Sequence, residues 1–73
     1  MLYRPVGVPE EIEERRTFLT NLRERHVMVQ RDSGNDYEMG ILNYDEESGE
    51  FHLVGINKIP IDPEKVTGLL IRI

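Results

Sequence analysis

The chain has 73 residues, and a domain of that size buries only about 60% of the surface its unfolded chain exposes, which excludes a large substrate cleft cut into the core. Leu, Ile, Val and Phe supply 22 residues, about 30% and above the roughly 20% level below which chains stay disordered, while Val, Ile and Thr total 16 in a chain without alanine, a bias towards strands. The formal charge is −5 and there is no cysteine, so disulfide frameworks, thiolate zinc sites and thiol nucleophiles are excluded, and a sequence-independent nucleic-acid coat is disfavoured.

Residues 1–8 read as an extended arm, because Pro5 and Gly7 oppose a helix. Residues 9–25 are predicted to form an amphipathic helix. Pro9 suits its first position, and Glu10, Glu11, Glu13 and Glu14 precede Arg15, Arg16, Arg23 and Arg25, the order the helix dipole favours. Glu11 and Arg15 are spaced for an ion pair. Ile12, Leu19 and Leu22, flanked by Phe18, form the stripe that must dock on something.

From His26 the period becomes two. Residues 26–31 form a strand with Val27 and Val29 on one face, and residues 32–36 are dense in turn formers. A second strand spans 37–44, with Gly40 as the place for a bend. An acidic turn (45–49) leads to a third strand, 50–55, in which Phe51 and Leu53 share a face. Residues 56–61 form a fourth strand that Pro60 confines to an edge or a strand end. Asp62 and Pro63 look like an N-cap and first position of one tight turn, and residues 66–73 make the fifth strand. The expected fold is mainly β with one N-terminal α-helix, a single domain whose five-stranded barrel (26–73) is capped by the helix. The acidity belongs to the barrel: residues 26–73 carry four basic against nine acidic side chains, while residues 10–25 carry four against five.

Catalytic constellations are sparse. Ser33 and Ser48 lie in turns, and His26 and His52 stand in no metal-ligand pattern. The run Asp32-Ser33-Gly34-Asn35-Asp36 is too short for a calcium loop and has its glycine in the wrong place, so a hairpin turn explains it better. Asp45, Glu46, Glu47 and Glu50 admit several readings: a solvated turn protecting a neighbouring edge, a surface for a basic partner, or a cation or acid–base site. Tyr44 and His52 flank them as further candidate partner-binding residues; Tyr37, Tyr44 and Phe51 also fit as core or cross-strand partners and His52 as a half-exposed strand residue, while one exposed tyrosine would anchor a partner. No glycine-rich phosphate loop occurs.

Gly40-Ile41-Leu42-Asn43-Tyr44-Asp45, Phe51-His52-Leu53 and Lys58-Ile59-Pro60-Ile61-Asp62, with Arg4-Pro5 and Val8-Pro9-Glu10 before the helix, carry a family likeness. With the preceding helix the chain resembles the Sm-like small barrels, which are SH3-like in shape, and among them the bacterial YolD-like proteins. That resemblance implies a bacterial, phage or plasmid protein, an accessory subunit of an error-prone Y-family DNA polymerase without an active site of its own. Glu46-Glu47-Ser48-Gly49 stands where RNA-binding Sm proteins have a Met-Asn pair, so binding of RNA at a ring pore is not carried over.

The function expected is a non-catalytic protein-interaction module, not an enzyme, with no cofactor and no metal. Its partner would be a protein with a basic surface. The alternative is an acidic inhibitor or decoy that fills the basic nucleic-acid site of another protein. Direct nucleic-acid binding through Arg15, Arg16, Arg23 and Arg25 is disfavoured because acids alternate with them. Pairing of copies through barrel edges is open. No apolar run has signal or membrane-spanning length, and the expected location is the cytoplasm, without membrane contact.

Overall fold

A computed structural model describes residues 2–31 and 37–73. The chain runs β1 (Tyr3–Val6), α1 (Ile12–Asn21), β2 (His26–Arg31), β3 (Tyr37–Asp45), β4 (Glu50–Val54), β5 (Lys58–Ile61), a 3-10 turn (Pro63–Lys65) and β6 (Val66–Arg72). The expected turn at 32–36, and with it the rejected calcium loop, lies outside the described residues.

The strands form one antiparallel sheet in the order β1-β6-β2-β3-β4-β5. The expected five-stranded barrel is therefore corrected: among the described residues there are six strands, and no backbone pairing closes the sheet. Its extra strand comes from the segment read as an arm, where Pro5 lies opposite Leu70 in β6. Proline is tolerated there because an edge strand pairs on one side only. The mainly-β character with one helix stands.

Strand alternation sends Val27, Val29, Leu42, Phe51, Leu53, Ile61, Leu69 and Ile71 to one face, and the register shift opposite Val66 brings that residue to it as well; all are buried together with Leu19 of α1. Each such side chain contributes about 1.5–3 kcal/mol of burial. Phe18 and Leu22 pack partly against this cluster, whereas Ile12, at the start of the expected docking stripe, is only half-buried.

The helix is shorter than 9–25 at both ends. Glu11 is its N-cap, its carboxylate accepting from the Glu13 amide at 2.9 Å. Pro9 and Glu10 stay outside because Arg15 takes their carbonyls, donating from Nε to Pro9 (2.8 Å) and from Nη2 to Glu10 (2.9 Å). Arg15 Nη1 also reaches the Pro63 carbonyl at 2.9 Å, tying the helix to the 3-10 turn. With a longer bond from Nη1 to the Glu64 carbonyl at 3.4 Å, the guanidinium donates to four backbone carbonyls instead of pairing with Glu11. At the other end the helix stops at Asn21, and Glu24 beyond it adopts φ 68°, a left-handed conformation through which an α-helix does not continue. Its amide then donates to Leu42 at 2.6 Å, and Leu42 donates back to Arg25 at 3.0 Å.

Asp62 caps the 3-10 turn as expected, accepting from the Glu64 amide at 3.0 Å with Pro63 at the first position. The register shifts between Gln30 and Arg31. Past this irregularity Arg31 meets Glu38 at 2.5 Å and the Pro60 carbonyl at 3.4 Å. A side chain therefore bridges β2 and the far edge strand β5, where no backbone ladder does.

Candidate protein-interaction surface

The β3–β4 hairpin carries most of the residues singled out by sequence. Asp45 lies opposite Glu50, and the turn between them closes through Gly49, whose amide donates to the Asp45 carbonyl at 2.7 Å and whose φ is +72°. The Asp45 carboxylate accepts from the Glu47 amide at 3.0 Å. That hydrogen bond, helped by Ser48, holds the Asp45 carboxyl below its ordinary value. Glu46 meets Arg23 at 3.4 Å, but both side chains are exposed and the pair contributes little. His52 Nε2 lies 3.9 Å from Glu50 Oε2, close enough to pair when the ring is protonated.

Tyr44 does not join this surface. It turns to the inner side of the sheet, where its ring stacks at a tilt on Phe51 with centroids 4.7 Å apart. The Arg16 guanidinium covers the Phe51 ring at 5.6 Å and donates to the Gly49 carbonyl at 2.9 Å. The hairpin is thus fixed to the helix from behind. Asp45, Glu46, Glu47 and Glu50 remain exposed at the tip, and His52 stands on the outer face opposite Asn43.

The structure adds residues that the sequence reading passed over. On the outer face of β3 and β4, Met39, Ile41 and Val54 are 54%, 46% and 37% exposed, and Ile56 in the following turn is fully exposed. Ile41 lies between His26 of β2 and Val54 of β4, while Met39 faces Met28, which in turn faces Leu70. Met39, Ile41, Val54, Ile56 and Ile59 line a shallow groove of about 490 Å³. Gly40 permits this geometry: a Cβ there would lie 3.0 Å from the Val54 carbonyl. A signal was present in Ile41-Leu42 and Leu53-Val54, where apolar residues occupy both strand phases. Such strands are apolar on both faces, and one short helix covers only one.

Along this hairpin face, apolar residues give way to the polar pair Asn43 and His52 and then to the acidic pair Asp45 and Glu50. A second groove of about 400 Å³ lies behind it, lined by Arg16, Arg31 and Lys65 but also by Glu50 and Asp62. Arg16 and Arg31 are already committed to Gly49, Phe51, Glu38 and Pro60, which leaves little for an anion. Among the described residues no three His, Asp or Glu side chains are placed to hold a metal ion, and no helix is long and apolar enough to cross a membrane. No family model, curated protein or solved structure matches this chain.

Proposed function

We propose that the protein is a non-catalytic interaction module of the cytoplasm that engages another protein through the outer face of its β3–β4 hairpin. The observation that carries this reading is the run of exposed apolar side chains Met39, Ile41, Val54 and Ile56. Folding leaves these groups in water, and contiguous apolar surface of this kind marks interaction sites. The YolD-like resemblance makes an error-prone DNA polymerase the first partner to try.

Tagged protein is to be incubated with extract of its own host and the retained proteins compared between wild type and Ile41→Thr/Val54→Thr. A specific partner lost on substitution supports the reading. A partner held equally by both, or none at all, refutes it.

A second reading, the acidic decoy, is favoured by the exposure of Glu46 and Glu50, 78% and 67% by side chain. A phosphate mimic has no use for the apolar residues beside them, so the module reading accounts for more of the surface. Competition separates the two: a decoy is displaced by nucleic acid, and a module binds alongside it.

A further inference from the structure

Strand alternation places Met39, Ile41, Asn43 and Asp45 on one side of β3, and the register sets Val54, His52 and Glu50 beside the last three on β4. From Ile41 to Asp45 is four residues, about 14 Å at strand rise. A helix covers that distance in about nine residues. Both edges of the sheet are poor templates for strand addition: Pro5 interrupts β1 and Pro60 interrupts β5, and the Pro60 carbonyl already faces Arg31 at 3.4 Å. A partner therefore lies across the face and uses side chains rather than ladder hydrogen bonds.

We propose that the occupant is a short basic amphipathic helix of another protein. Its apolar stripe rests on Met39, Ile41 and Val54, and its Lys or Arg residues reach Asp45 and Glu50. This rests on the interaction-module reading above and names the partner's chemistry. Charge decides between cationic and anionic occupants. Asp45 and Glu50 lie opposite each other at that end with both residues exposed, which favours a cationic segment there and repels phosphate-bearing surfaces, while Lys58, opposite Val54, stands at the apolar end. A second copy brings together two chains of charge −5, but each also carries Lys58 beside Val54, so self-association is decided by the sedimentation arm of the test.

The probe is a synthetic Leu/Lys amphipathic peptide of about 18 residues, long enough to be helical. A Leu/Glu peptide of the same pattern and a Ser/Lys peptide of the same charge serve as controls. Amide chemical shifts of the full chain are followed during titration with each. The Leu/Lys peptide is expected to shift Met39, Ile41 and Val54 together with Asp45 and Glu50, and the controls to shift neither set. Ile41→Thr/Val54→Thr, which keeps β-branching, weakens binding about tenfold or more. Glu50→Lys weakens it about tenfold near 0.05 M salt, a difference that disappears near 0.5 M. Circular-dichroism melts check that each variant folds, with Met39→Gln as a replacement if the threonine pair does not.

The proposal is overturned by equal binding of the Leu/Glu peptide, by shifts confined to the tip with the Ser/Lys peptide bound as tightly, or by shifts elsewhere. It is also overturned if sedimentation reveals a dimer that Ile41→Thr dissociates. A host partner that depends on Ile41 but presents no basic amphipathic helix removes this proposal and leaves the module reading standing.

Discussion

Ile41 lies directly opposite Val54 in the β3–β4 ladder, and both side chains stay exposed although the next pair along the ladder, Leu42 and Leu53, is fully buried. The ladder thus presents two apolar faces, and only the inner one is packed. Substituting the outer pair removes little folding energy while altering the surface another molecule meets. Ile41→Thr/Val54→Thr is expected to change unfolding free energy by no more than about 0.5 kcal/mol per site, measured by urea denaturation. A loss of several kcal/mol would mean that this face is part of the core.

Leu19 is the one residue of α1 that is fully buried, so the helix is anchored to the sheet chiefly through it. Leu19→Ala is predicted to cost about 2–5 kcal/mol. Native-state hydrogen exchange should show the α1 amides losing protection before those of β2 and β3. Uniform loss across the molecule would show that helix and sheet open as one unit.

Arg15 joins four carbonyls, those of Pro9, Glu10, Pro63 and Glu64, and the bonds to Pro9 and Pro63 are part-buried. Arg15→Lys keeps the charge but not the planar fork. It is expected to destabilise by about 1–3 kcal/mol, nearly as much as Arg15→Ala, in the same denaturation assay. Full rescue by lysine would show that charge rather than geometry matters there.

Much of this arrangement was legible beforehand and some was not, for identifiable reasons. The period-two runs at 26–31 and 66–73 and the cap at Asp62 depend on local pattern, and the structure follows them closely. The strand at Tyr3–Val6 was hidden by Pro5, because only tertiary pairing with β6 shows that it is an edge. Helix length was misjudged because the acids and arginines of 9–25 fit a helix equally well inside it or beyond it. The helix ends at Asn21, where the Leu22 and Arg23 amides turn to the Leu19 and Thr20 carbonyls, and the left-handed Glu24, bonded to Leu42 across 18 positions, then leads the chain into β2. The acidic tip of the candidate surface was evident from composition. Its apolar half was not, since the pattern does not reveal which face of a two-sided strand the helix covers. Tyr44 follows the cross-strand alternative, stacked on Phe51.

Asp45 supplies a pH dependence whose sign is fixed. Its carboxyl titrates below its ordinary value of 3.8, chiefly through the Glu47 amide. A depressed folded pKa gives stability that is present above the unfolded value and lost as pH falls through the folded one. The difference in urea midpoint between wild type and Asp45→Asn should be constant above about pH 5 and shrink steadily below about pH 4. A difference that grew on acidification would contradict the hydrogen-bonded turn.

The central claim, that the outer face of β3 and β4 is where another protein binds, is tested most directly by photo-crosslinking. A photoreactive residue is placed at position 41 in one sample and at exposed Thr17 on the helix in another, each illuminated in host extract. The account predicts a discrete adduct from position 41 that is lost when Val54→Thr and Met39→Gln are added, and none from position 17. A discrete adduct from position 17 with none from position 41 would contradict it.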